Sequence, residues 1–340
     1  MTVRSRPSRV RTAAVAGGAV IGLTLAGCGS AGAGDDGAPS SGEALEVVAS
    51  TSVWGTVAQA VGGEDVEVTP VVDDPGADPH SYESTPRDAA EVGKADLVVF
   101  NGGGYDEFMQ QILSSTAQTT PKVQAFQGEN THSHSDGGSE HQHEGHAHEG
   151  KEPKQHGGGG HSHEHGNEHI WYDLDAVQDV SQSIADELGA LRPEQQQEFT
   201  DRASAFADQV TGLQQRVDDI AARHGGTKVV VTEPIAHYLV ERGRLDDITP
   251  QEFVDSVETG GDPSVAAVAE IRKSIDSGQA GALIYNPQTE SPVTEQLRAQ
   301  AEQRGLPVVE LTELPPESTD YVAWMDSQIA ALDAALNGQR

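Results

Sequence analysis

Cys28 is the only cysteine in 340 residues. No intrachain disulfide can form and no cysteine-ligated zinc site can be built, so any metal site must use other side chains. Bases are scarce as well, with 21 Lys and Arg against 54 Asp and Glu. Binding to phosphate backbones depends on basic side chains, so this balance excludes nucleic acid as a partner. The apolar run Ala13–Leu25 is too short to cross a bilayer comfortably. No H-E-x-x-H occurs. The G-x-G-x-x-G at Gly32, Gly34 and Gly37 has no strand before it and no helix after it, which removes the dinucleotide reading.

At the N-terminus, Arg4, Arg6, Arg9 and Arg11 precede that apolar run, the layout of an export signal over residues 1–27. The segment ends on Leu25-Ala26-Gly27-Cys28, which resembles the lipobox of bacterial lipoproteins. The resemblance implies that Cys28 is lipidated and becomes the first residue of the mature chain. Without the signal, 17 bases remain against 54 acids, a net charge of −37. Such a surface draws cations and keeps the protein soluble, but says nothing by itself about fold. Residues 28–44, rich in Gly, Ala, Ser and Asp, read as a flexible tether between lipid and first strand.

Eleven of the fourteen histidines fall between His132 and His169: His132, His134, His141, His143, His146, His148, His156, His161, His163, His165 and His169. With no Val, Ile, Leu or aromatic residue among them, the stretch cannot bury enough surface to offset its ordering entropy, and 130–168 reads as a disordered loop. Neutral imidazole is the commonest transition-metal ligand, so the ten histidines before His169 form an auxiliary set of weak metal sites. One rigid, selective site has to lie in the ordered chain.

That ordered chain alternates between short β-branched runs and helical stretches. Strands are expected at Glu46–Ser50, Val66–Val72, Asp96–Asn101 and Lys122–Phe126, with helices at Val53–Val61, Pro86–Gly93, Tyr105–Ser114 and Leu174–Leu188. The order implies an α/β fold with a parallel sheet. Phe199, Ala203, Phe206, Val210, Leu213, Val217 and Ile220 then recur at spacings of 4 and 3, one apolar stripe on a helix running from Pro193 to about Arg223 and ended by Gly225-Gly226. The stripe spans only about three heptads without strong e/g pairs, so a linking helix in a monomer is expected rather than a coiled-coil seam. After it the alternation restarts, with strands at Lys228–Thr232, Gly281–Asn286 and Pro307–Leu311 and helices at Ile235–Arg242, Ser264–Ser277, Pro292–Arg304 and Asp320–Leu336. The expected division is an N-terminal lobe over 45–192, a linking helix over 193–224 and a C-terminal lobe over 225–340.

Ligand sites in such sheets lie beyond the carboxyl ends of strands and between domains. His80 follows the strand at Val66, His169 follows the histidine-rich stretch, and Glu233 and Glu313 each come just after an apolar strand. Two imidazoles and two carboxylates would close a four-coordinate site and cancel the charge of one divalent ion. His237, one turn after Glu233, competes with it for the third position and is expected to support a ligand rather than be one.

On Asp78-Pro79-His80-Ser81-Tyr82-Glu83-Ser84-Thr85-Pro86, His169-Ile170-Trp171-Tyr172-Asp173, Thr232-Glu233-Pro234, Tyr285-Asn286-Pro287-Gln288-Thr289-Glu290 and Thr312-Glu313-Leu314-Pro315, the chain resembles the metal-receptor lipoproteins of bacterial ABC-type zinc and manganese importers. The resemblance covers nearly all of 45–340. It implies two Rossmann-like lobes joined by one long rigid helix, one metal ion in the cleft, a membrane permease as partner, an extracytoplasmic lipid-anchored location and no enzymatic activity. Ligand roles carry over to His80 and His169. The third family position holds His in many zinc receptors and Glu in many manganese ones, and Glu233 stands there. The fourth is usually Asp, where this chain has Glu313.

Two His and two carboxylates suit Mn2+ as well as Zn2+, and the imidazole-rich tract favours Zn2+. Two other classes compete. His165-Gly166-Asn167-Glu168-His169 spells the inverted zinc-peptidase pattern H-x-x-E-H, which requires a helix that Gly166-Asn167 disfavours. An envelope metal buffer or adhesin would instead depend on the histidine-rich stretch.

Overall fold

The computed structural model describes residues 43–116, 119–128, 166–258 and 260–338. The expected export signal, Cys28, nearly all of the expected tether and the ten histidines from His132 to His165 lie outside the described residues.

The first sheet is built from β1 (Leu45–Thr51), β2 (Val66–Val72), β3 (Leu97–Phe100) and β4 (Lys122–Gln124), all parallel and in the order β2-β1-β3-β4. Helices α1 (Ser52–Gly62), α2 (Pro86–Val92) and α3 (Glu107–Ser115) connect them. β3 is buried along its whole length, as a strand covered on both faces must be, which is why Leu97-Val98-Val99-Phe100 is an unbroken apolar run. Helix α2 starts on a capping box: Pro86 occupies the first turn, Thr85 accepts from the Asp88 backbone N–H, and Asp88 accepts from that of Thr85.

The second sheet repeats the plan. β5 (Lys228–Val231), β6 (Asp246–Asp247), β7 (Ala282–Tyr285) and β8 (Val308–Glu310) are parallel in the order β6-β5-β7-β8. Around them pack α6 (His237–Arg242), α7 (Gln251–Glu258), α8 (Val265–Asp276), α9 (Pro292–Arg304) and α10 (Tyr321–Leu336). In both sheets the chain adds one strand to one side of its first strand and then crosses to the other. That reversal opens a crevice beyond the carboxyl ends of β1 and β3 in one sheet and of β5 and β7 in the other.

Helix α4 (Leu174–Leu191) leads into α5 (Gln196–His224), whose 29 residues span about 43 Å at 1.5 Å each. Every residue of the anticipated stripe is buried on it. The stripe packs on α1 and α4, which precede it in the chain, and on α6 and α10, which follow it, so it is used up inside the molecule and leaves no seam for a coiled coil. The two-lobe α/β architecture joined by a long helix is thereby established. Two elements went unanticipated, β6 and α7. Several strands are shorter than expected, β4 ending at Gln124 and β8 at Glu310.

Candidate metal centre

His80 sits on a single 3-10 turn, Pro79–Ser81, that follows β2. Asp78 caps the turn by accepting from the His80 backbone N–H at 2.9 Å. The His80 side chain keeps 32% of its surface exposed and its Nε2 lies 4.0 Å from Glu313 Oε2. Its ring meets the Tyr105 edge at 4.8 Å and the His169 ring at 5.7 Å between centroids.

His169 is buried against Trp171, with ring centroids 5.2 Å apart. The segment is tied to the first sheet by Asn101, which follows β3: its amide donates to the Glu168 carbonyl at 2.9 Å while its oxygen accepts from Trp54 Nε1 at 3.1 Å. Asn167 Oδ1 takes both the His169 backbone N–H at 2.9 Å and the ring Nδ1 at 3.0 Å. An amide oxygen can only accept, so Nδ1 carries the proton and Nε2 keeps its lone pair for a cation. Burial, then the nearby His80 and His237, hold the His169 pKa well below the ordinary histidine value, which keeps the ring neutral.

Glu313, three residues past β8, is fully buried. Tyr105, delivered by a turn of three positive-φ glycines, Gly102, Gly103 and Gly104, donates to its Oε2 at 3.0 Å. Asn286, the residue after β7, donates to its Oε1 at 2.8 Å. Burial raises the Glu313 pKa well above the usual carboxylate range, and Glu233 and Asp78 add to the shift.

One ligand atom each from His80, His169 and Glu313 lies within 4.8 Å of the other two. Among the described residues this is the one such cluster of three or more His, Cys, Asp or Glu side chains. Glu233 stands beside it, not in it. Its two oxygens accept from the Asn286 amide and, at 2.5 Å, from Thr289 Oγ1. Burial pushes its pKa up to about 7, against the lowering effect of those two donors. Asn286 Nδ2 thus spends its two hydrogens on two buried carboxylates, one each. All four anticipated side chains except Glu313 line a cavity of about 610 Å³, together with Asp78, Gln288 and Glu258. His237 lies farther out, 52% exposed, with Nε2 3.8 Å from Glu241.

Sequence reasoning assigned no role to Tyr105, Asn167, Asn286 or Thr289. Asn286 was detectable, because it follows an apolar strand as Glu233 does. Asn167 stands out in the sequence only within the peptidase-like pattern, yet Gly166–His169 runs outside any helix, with Gly166 at φ 86. Gly166–His169 therefore does not supply the helix that pattern requires.

Two parallel sheets bridged by one helix, with a polar crevice where their strand ends face each other, define a two-lobe α/β solute-binding protein. The chain belongs to the family described as zinc-uptake complex component A, periplasmic, whose model matches residues 47–335. It is 26% identical over 242 residues to the manganese-binding lipoprotein MntA of Halalkalibacterium halodurans, covering 69% of each chain. To the manganese ABC transporter substrate-binding lipoprotein PsaA of Streptococcus anginosus it is 35% identical over 63 residues, a stretch covering 18% of this chain and 20% of that one. Among solved structures, the periplasmic zinc binding protein TroA from Treponema pallidum superposes with a TM-score of 0.64 at 19% identity, covering 88% of this chain and 100% of that one. The SBP FpvC from Pseudomonas aeruginosa in complex with Mn2+ gives 0.65 at 18% identity, over 87% and 99%. These two likenesses establish the fold.

Proposed function

We propose that this protein is the extracytoplasmic receptor of an ABC-type importer, capturing one divalent transition-metal ion in the crevice and passing it to a membrane permease. The observation that carries the reading is the convergence of His80, His169 and Glu313 within 4.8 Å, with the His169 ring already set in the tautomer that offers Nε2. Glu233 is the fourth ligand in this reading. Each of its oxygens has spent one lone pair on a hydrogen bond and keeps another for the ion. His237 remains a support at the rim. The chain is a binder and not a catalyst, acting as a monomer tethered through lipid on Cys28, with the lobes divided at 192 and 225.

Zn2+ is the cargo we favour. A buried neutral imidazole suits a late transition metal, and the histidines from His132 to His165 add weak sites of the same preference. Mn2+ is the second reading, supported by the manganese-binding names of the relatives and by the two carboxylates. Competition against a chromophoric chelator with each metal tests both readings. One tight equivalent of Zn2+ is expected, lost when His80 and His169 are both replaced by Ala. Tight binding that survives the double replacement would refute the ligand assignment. Tight Mn2+ with weak Zn2+ would exchange the two readings. Deleting 132–165 should leave the tight equivalent in place and remove only weaker ones, whereas a metal buffer or adhesin would lose its capacity.

A further inference from the structure

The crevice is closed on two sides by different bonds. On the His169 side, Asn167 Nδ2 donates to the Pro234 carbonyl at 3.1 Å, Tyr238 donates back to the Asn167 carbonyl at 2.6 Å, and Tyr172 donates to the Thr312 carbonyl at 2.8 Å. On the His80 side the strap is Gln288, two residues past Asn286. Its Nε2 donates to the carbonyls of Pro75 at 3.0 Å and Ala77 at 3.1 Å, in the loop that leads from β2 to His80. Its Oε1 accepts the backbone N–H of Glu313 at 2.5 Å. One amide therefore holds the loop before one ligand and the backbone of another. Its own backbone N–H donates to Asn286 Oδ1 at 2.9 Å, and Asn286 grips Glu233 and Glu313.

We infer that Gln288 is a positioning residue that latches the His80 loop to Glu313 and so governs how fast a captured ion leaves. The inference rests on the crevice being the metal site. The loop it holds is stiff: Asp74 accepts from Ala77 N–H through its carbonyl at 2.9 Å and from Gly76 N–H through its side chain at 2.9 Å. A pull on Pro75 and Ala77 is thus passed to Asp78 and the turn carrying His80. His80 is also the exposed member of the cluster while His169 and Glu313 are buried, so this lip is where the ion can exit. Opening it breaks both bonds from Nε2 to the loop. Loss of the latch therefore raises the dissociation rate, with the same atoms on the metal.

The test uses the full chain loaded with one equivalent of Zn2+ and follows release to a chromophoric chelator by stopped flow. Gln288→Met, similar in length and without hydrogen bonds, should release about tenfold faster, which is about 1.4 kcal/mol. Its Co2+-loaded absorption envelope should match that of the wild type, a readout that separates positioning from ligation. Gln288→Asn keeps the amide but is one methylene short of spanning both partners. It should release equally fast, and it carries the test if the Met variant does not fold. Release at the wild-type rate in a folded variant, or an altered Co2+ envelope, would overturn the latch. Failure of the wild-type chain to bind Zn2+, Co2+ or Mn2+ would instead overturn the metal reading beneath it.

Discussion

The chemistry of the site is decided by single atoms that carry no charge. Asn167 fixes the His169 tautomer with one carbonyl oxygen. Groups that orient a metal-bound imidazole are commonly worth ~10–100-fold in affinity. Asn167→Ala should therefore weaken Zn2+ binding by about tenfold or more while leaving His169 in place, as measured by chelator competition at fixed pH. Unchanged affinity would show that the ring is oriented by packing on Trp171 alone. Asn286 carries a larger electrostatic load, since one neutral amide separates two buried carboxylates. Asn286→Asp would place a third acid between them, and the metal-free protein should melt lower than the wild type, with the gap widening as pH rises and the acids ionise. Thermal denaturation in the presence of chelator measures this. A gap that is constant with pH would mean that the loss is one of shape and not charge.

At the scale of elements, the bridging helix holds the two sheets in register. Phe206 lies on the buried stripe of α5, with its ring 5.8 Å from that of Tyr321 on α10. Removing a buried Phe side chain costs about 3–5 kcal/mol. Phe206→Ala should lower the urea midpoint accordingly, and because the stripe touches both halves, it should also weaken metal affinity without touching the site. A stability loss with fully preserved affinity would separate the helix from the register of the lobes. This helix was the most legible element in the sequence, because a period of 3.6 over six turns fits no other secondary structure. β6 was illegible for the opposite reason. Asp246-Asp247 is two exposed acids, held as a strand only by pairing with Lys228 and Val229. In α7 only Phe253 and Val254 are buried, too few to show a period. His80, His169, Glu233 and Glu313 could be picked out because strand ends mark polar residues locally. Gln288 and Asn167 could not be given roles, because the partners that give them one are distant in sequence, 25 to 213 positions away for Gln288 and 67 and 71 for Asn167.

For the whole molecule, the site stores a penalty that a captured cation relieves. Glu233, with its pKa pushed up to about 7, and Glu313, shifted upward by burial, hold protons in the fold that unfolded glutamates near ~4.3 have already lost. Glu258 at the cavity wall, pushed up by burial to about 8, does the same. A folded state that binds more protons than the unfolded one loses stability as pH rises. Their contribution is whole below about pH 4 and drains away as pH climbs through the folded values. His169 has the opposite sign, because its depressed pKa costs stability only once unfolded histidine begins to take up protons, below about pH 6.5. From about pH 6.5 to about pH 8 the acids act alone, so the melting temperature of the metal-free protein should fall across that interval. With saturating Zn2+ the same interval should be flat or rising, because the ion takes the place of the protons and binds the folded chain more tightly as they leave. Calorimetry at about pH 6.5 in buffers of different ionisation enthalpy should register proton release on binding. Parallel pH profiles with and without metal, and no proton release, would mean that the ion never meets the two buried glutamates.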